Sequence, residues 1–145
     1  MNKVTLVENT IAWAKKYLGS KDYQLRCLAF IEDSLERSNS IEIFGGCSAK
    51  ESAVLYAAHE NTGIPPKGVF VFYDCSGVVD DEHVDWGHCG LSLGDGKVIH
   101  AWDVVRIDNY LEVEYLSVAP SWNQPQYIGW VPLERVLVGY QPKNY

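Results

Sequence analysis

No stretch of this chain approaches the roughly 20 consecutive apolar residues that a membrane-spanning helix requires. The opening residues, Met1 to Glu8, hold too short an apolar run for a signal peptide, and Glu8 and Asn9 interrupt it. The chain is therefore expected to be soluble, to make no membrane contact and to be cytoplasmic as written. Action outside the cell or in a phage particle would need release by other means. Basic residues are also scarce: 12 Lys and Arg stand against 19 Asp and Glu, for a net charge of −7, and no basic run occurs. Nucleic acid is thus not the expected partner, because phosphate contacts need grouped Lys and Arg. The four cysteines, Cys27, Cys47, Cys75 and Cys89, contain no Cys-x-x-Cys pair, which argues against a zinc knuckle. Without an export signal they read as free thiols. Internal repeats and low-complexity segments are absent. Gly94-Asp95-Gly96 is followed by no helix, so it reads as a turn and not a phosphate loop. No metal or other cofactor is expected.

What is present is an ordinary globular composition, 47% hydrophobic and 21% charged over 145 residues, read as one domain over 1–145. Nine Tyr and five Trp are many for this length, and such rings fill cores or line grooves that hold extended polar ligands. The first half reads as helical. One helix is expected over Asn9 to Leu18, with Ile11, Ala14 and Leu18 at helical spacing and Gly19 ending it. A second is expected over Gln24 to Arg37, with a Leu28, Ile31, Leu35 stripe and Cys27 in its first turn. A loop over Ser38 to Gly46 follows. A third helix starts at the capping box Ser48…Glu51 and stops by Gly63 and Pro65-Pro66.

After Pro66 the pattern changes to strands. Gly68 to Tyr73 is β-branched and aromatic. Asp74 to Trp86 reads as a polar, acidic loop. Gly87 to Leu93 and Val98 to Trp102 flank an Asp95-Gly96 hairpin turn. Two more strands are expected around Tyr127 to Val131 and Val136 to Tyr140, while Tyr110 to Gln126 carries no clear pattern. The fold class is α+β, with N-terminal helices packed on a C-terminal antiparallel sheet.

A cysteine hydrolase needs a thiolate, an imidazole within hydrogen-bond reach and a group that orients the imidazole. Helix-start N–H groups stabilise a thiolate and an oxyanion. Cys27 meets that specification, with His88 at the head of one strand and His100 on the next. Cys75 is the rival nucleophile, but it follows a strand and has four acids nearby, which raise a thiol pKa. Cys89 should point away from His88, because strand neighbours alternate faces. Cys47 is expected to be buried beside the third helix. A plain two-residue turn at Asp95-Gly96 would put His100 on the face opposite His88, whereas one bulged residue would restore it. His100 and Asp103 therefore both stand as the orienting group. His59 reads as a solvated helix residue. His83, amid Asp80, Asp81, Glu82 and Asp85, reads as part of a charged surface loop ahead of a metal loop. Trp86 and Trp102 flank the two histidines as groove walls or core aromatics.

Three segments together resemble the NlpC-type cell-wall endopeptidases. Tyr23 to Phe30 resembles a divergent form of their nucleophile helix, and Ile64 to Tyr73 resembles the strand that enters their site after a Pro-x-Gly turn. Gly87-His88-Cys89-Gly90-Leu91-Ser92-Leu93-Gly94-Asp95-Gly96-Lys97-Val98-Ile99-His100-Ala101 is similar to their histidine hairpin, including the 12-residue step between its histidines. The family's Asp-Cys-Ser-Gly motif is absent at Cys27 and appears instead as Asp74-Cys75-Ser76-Gly77. The resemblance implies a papain-like fold and metal-free hydrolysis of amide bonds in peptidoglycan peptides. By position it implies Cys27 as nucleophile, His88 as general base and acid, and His100 as the orienting residue. The expected partner is a peptidoglycan stem peptide or muropeptide, and the protein is expected to be a monomer. The acidic charge disfavours a lysin that must cling to an anionic wall. The competing expectations are a papain-like acyltransferase, deamidase or toxin acting on another substrate, and a catalytically silent binding module.

Overall fold

The computed structural model describes residues 2–145. The first helix, α1, spans Lys3–Lys15, because the Asn2 side chain accepts from the Thr5 N–H and caps it there. It thus begins before the expected Asn9 and ends before Leu18, which is exposed. Helix α2 spans Cys27–Asn39 and not Gln24 to Arg37. Leu25, held at φ 59°, and Arg26, at φ −130°, lie outside helical geometry, so the first helical residue is Cys27 itself. Phe30, Ile31, Ser34 and Leu35 form its buried face; Leu28 is only partly covered. A short strand β1, Ile41–Glu42, precedes α3, Ala49–Leu55. Ser48 caps α3 by accepting from the Glu51 N–H, while the Glu51 carboxylate turns to the Cys47 N–H, 2.8 Å away. Ala57 at φ 54° breaks α3 early, and a 3-10 turn, Ala58–Glu60, follows in place of helix up to Gly63.

Seven further strands follow β1 before the C-terminal residues. They are β2 Phe70–Asp74, β3 Ser76–Val79, β4 Glu82–Asp85, β5 His88–Gly94, β6 Lys97–Ala101, β7 Val105–Asn109 and β8 Gln126–Val131. Five of them form one antiparallel sheet in the order β7-β6-β5-β2-β8. The supposed loop Asp74 to Trp86 is largely a hairpin of β3 and β4. Its turn residues Asp80 and Asp81 both have positive φ, as a two-residue type I′ turn requires, and Asp tolerates that conformation. Acidic side chains masked the strand pattern. The expected strand Val136 to Tyr140 is also corrected. Leu133–Val136 is a short helix, α4, started by Pro132 and followed by a turn, and only Gln141–Pro142, β9, pairs with β1.

One face of the sheet packs Phe70, Phe72, Cys89, Leu91, Ile99 and Val131 against α1, α2 and α3. The other face packs Val69, Val71, Tyr73 and Val98 under Tyr110 and Val113, from the segment whose sequence showed no pattern. The α+β class with an antiparallel sheet thus stands. Among the described residues no helix is long and apolar enough to cross a membrane.

At the β8 edge, the Cα of Gly129 lies so close to the Ala58–Asn61 turn that a β-carbon would sit 2.1 Å from the Ala58 carbonyl oxygen. Gly129→Ala is expected to lower the unfolding free energy by about 2–3 kcal/mol. A urea titration reads this as a lower midpoint at unchanged slope; an unchanged midpoint would show that the turn gives way freely.

Candidate active site

The first turn of α2 lands on the start of β5. Tyr23 fixes the approach: its hydroxyl donates to Asp33 at 2.7 Å, and its ring packs edge-on to Phe30. Because no side chain caps α2, the N–H groups of its first turn remain open to the space in front of Cys27. Gly87 sets the other side. It has φ 75°, and a β-carbon there would meet the Lys50 backbone nitrogen at 2.5 Å, so only glycine lets β5 start against α3. The Asp85 carboxylate holds this corner by accepting from the Cys75 and Gly87 N–H groups at 2.8 and 3.0 Å. Lys50 pairs with both Asp85 and Asp74.

His88 and His100 come to one face through a register shift between Ser92 and Gly94, where Leu93 is the bulged residue. The Nε2 of His88 lies 2.8 Å from Nδ1 of His100. The Nε2 of His100 lies 2.8 Å from Oδ2 of Asp108. Asp108 is gripped in turn by Arg106, whose Nε and Nη2 donate to its two oxygens at 2.8 and 3.2 Å. His100 is fully buried, and burial pushes its pKa down to about 4, so it is neutral near pH 7. Its one proton then lies on Nε2, toward the carboxylate, and Nδ1 accepts from His88 Nε2–H. The Nδ1 of His88 is left for proton exchange with the groove.

The Cys27 thiol is held well below the ordinary range. The Cys89 thiol, hydrogen-bonded to it, does most; burial opposes; the His88 charge, a hydrogen bond to His88 and the Cys89 N–H add to the lowering. The side chains of Cys27 and His88 share one groove of about 1000 Å³. Trp102 packs edge-on to the His88 ring at 5.0 Å and, with Trp86, lines the groove.

The other residues singled out from sequence fall elsewhere. Cys75 is buried, donates to the Asn123 carbonyl at 3.6 Å, and is pushed up to about 12, mainly by burial. Cys47 is exposed at the groove rim, not buried beside α3, because the Gly45-Gly46 loop turns it outward. Asp103 does not orient His88: it lies past the end of β6, accepts from the Val104 N–H and pairs with Arg106 at the surface. His59 and His83 are exposed. Among the described residues no group of three or more His, Cys, Asp or Glu side chains is arranged to hold a metal ion.

Asp108 and Arg106 were not anticipated. They belong to β7, which sequence reading passed over, although the alternation of Val105, Ile107 and Asn109 with Arg106 and Asp108 carried a strand signal. Glu32 was missed too. It lines the groove, and burial, followed by the charges of Glu36 and Asp33, raises its pKa to about 7. No family model matches the chain, and no curated protein matches it.

Iodoacetamide should alkylate Cys27 at about pH 6, where an ordinary thiol is inert, and His88→Ala should slow that reaction. Cys75 and Cys89 should stay unlabelled in the folded protein. A Cys27 rate no faster than that of free cysteine would leave the groove without an activated thiol. Glu32 yields a stability prediction. Its folded pKa lies above its ordinary 4.5, so the stability it contributes is present below that value and is lost as pH rises toward 7. Glu32→Gln should therefore raise the urea midpoint at about pH 8 and change it little at about pH 5. Equal effects at both would place the carboxyl in water.

Proposed function

We propose that the protein is a papain-like cysteine hydrolase that cleaves an amide bond in bacterial cell-wall peptides. The observation that carries this reading is the hydrogen-bonded chain His88–His100–Asp108, whose His88 end lines one groove together with Cys27 at the start of a helix. The Cys27 thiolate attacks the scissile carbonyl carbon, and the N–H groups of the first turn of α2 face the oxyanion that forms. His88, as imidazolium, protonates the leaving amine. As a neutral base it then takes a proton from the water that cleaves the thioester. His100 accepts from His88 Nε2–H throughout, so His88 keeps Nδ1 toward the sulfur. Asp108 locks the tautomer of His100. The cell-wall substrate rests on the resemblance of the His88-to-Ala101 hairpin and the Cys27 helix to NlpC-type enzymes.

A second reading has its own support in the groove walls, where apolar side chains, among them Leu28, Val79, Trp86, Trp102, Val118 and Trp122, outnumber the polar ones. An apolar acyl group held there could be passed from the thioester to an amine instead of water.

Purified protein mixed with defined muropeptides should release cleaved stem peptides detectable by mass spectrometry, and Cys27→Ala should release none. Equal release by both proteins would remove Cys27 from the reaction. Asp108→Asn should lower kcat by about 100-fold while leaving KM and the fold intact, as expected for a misaligned base. If an added amine diverts product from acid to amide, acyl transfer becomes the activity.

A further inference from the structure

Helix α2 carries three acids beyond Cys27: Glu32, Asp33 and Glu36. Asp33 accepts from the Tyr23 hydroxyl and pairs with Arg37, and Glu36 accepts from the Ile43 N–H at 2.9 Å. Glu32 lines the groove that Cys27 and His88 share, and among the described residues it has no hydrogen bond and no ion pair. Asp103, the other carboxylate lining that groove, pairs with Arg106. Behind Glu32 lies a cradle of oxygens. A β-carbon on Gly45 would sit 2.7 Å from Tyr56 Oη, 3.2 Å from Glu32 Oε2 and 3.2 Å from Ser52 Oγ, so three oxygens converge where only glycine leaves them room. Ser52 Oγ is engaged, accepting from the Gly46 N–H at 3.0 Å. The Tyr56 hydroxyl is not: the residue is 6% exposed, and its oxygen has no hydrogen-bond partner among the described residues. A buried hydroxyl without a partner and a half-buried carboxyl without one are each unfavourable, and here they lie beside one another at the groove.

We propose that Glu32 is the binding site for an ammonium group of the ligand, where the groove runs between α2 and α3. The inference rests on this groove being the substrate site of the proposed hydrolase, and it adds the class of group taken there: an ammonium carried on an apolar body. The walls supply the second half of that match, since Trp86, Trp102 and Trp122 line the same groove. An ammonium has three donors and no acceptor, whereas an ionised carboxylate only accepts, and the bond between them is charge-assisted. No cation of the chain takes that place. Arg26 is the one Lys or Arg lining the groove among the described residues, and its guanidinium lies over the Tyr23 ring at 5.3 Å. Without a cation, burial and the charges of Glu36 and Asp33 raise the Glu32 carboxyl to about 7. A bound ammonium keeps it ionised, and an ionised Glu32 is the acceptor that Tyr56 lacks. Tyr56 therefore acts through Glu32 and is a positioning residue, shut off from the groove by its own burial. The other titratable groups around Glu32 are Asp33 and Glu36 on α2, Tyr56 after α3, Cys89 on β5, and Cys27 and His88 in the groove.

The test compares phenethylamine with phenethyl alcohol, probes that share an apolar body and differ in the ammonium. Titrated into the intact protein at about pH 8 and followed by tryptophan fluorescence, the amine should bind about tenfold more tightly than the alcohol. Glu32→Gln should bring the two affinities together. In the wild type the preference should also shrink at about pH 5, where Glu32 holds its proton while the amine stays charged; this arm needs no variant. Tyr56→Phe separates positioning from packing: loss of the unpartnered hydroxyl should raise the urea midpoint of the free protein and yet weaken the preference for the amine. Equal affinities in the wild type, no amine binding at all, or a preference that survives Glu32→Gln overturns the proposal, and an unchanged preference in Tyr56→Phe overturns the role of Tyr56. Absence of muropeptide cleavage would refute the hydrolase reading, whereas the amine-to-alcohol ratio requires no turnover and bears on Glu32 alone.

Discussion

The groove depends on where the first turn of α2 meets the first residues of β5. A helix start brings unpaired N–H groups and a favourable dipole, and a strand start brings two side chains on opposite faces. Placing one against the other brings the Cys27 sulfur and the His88 imidazole to one groove, with Cys89 on the core face of the same strand. Burial alone would raise the Cys27 thiol, as it does for Cys75 and Cys89. The donors at the junction reverse that sign. Leu25 in the left-handed region, Tyr23 anchored on Asp33 and Gly87 pressed on α3 all serve to put the two termini in contact.

Behind that junction the polar chain runs away from the groove and ends in a salt bridge. A buried neutral histidine beside another would be a liability if its tautomer were free. Asp108 removes the ambiguity by accepting a hydrogen bond from the Nε2–H, and Arg106 keeps Asp108 ionised, its carboxyl held low first by the His100 hydrogen bond. The bulge at Leu93 is the geometric condition for the whole chain, because without it His100 would face α2 and not His88. One extra residue in a hairpin thus separates a connected hydrogen-bond chain from two unrelated histidines.

Local chemistry was legible where one residue settles the outcome. Ser48 marks a helix start, and Asp95-Gly96 marks a turn, with both residues at positive φ in the structure. Cys27 at a helix start beside His88 and His100 was readable as a constellation from order and spacing. What remained hidden depends on pairing across the sheet. Asp108 meets His100 only because Arg106 pairs with His100 in the β6–β7 register, and an exposed edge strand such as Val105–Asn109 carries a weak apolar pattern. The β3–β4 hairpin looked like a loop because its turn, Asp80-Asp81, and the first residue of β4, Glu82, are acidic. The expected strand over 136–140 failed for the opposite reason: its apolar residues are those of a helical turn, not of a pleated surface.

The segment 110–126 has the least regular pattern and covers the second face of the sheet, yet it also builds a wall of the groove. Tyr110 accepts the Tyr73 hydroxyl proton on its carbonyl, and Val113 is wholly buried, so the start of the segment is anchored in the core. Further along, the Ser117 carbonyl accepts from the Trp102 indole, Asn123 donates to the Ser76 carbonyl and accepts from Cys75, and the Trp122 ring packs on Gly77. The wall is thus pinned to β3, to the Cys75 corner and to the aromatic beside His88. Its shape therefore follows from the same elements that hold the sulfur and the imidazole. A change in the wall must pass through hydrogen bonds that touch the neighbours of Cys27 and His88, so the shape of the groove and the setting of those two side chains are coupled in this fold.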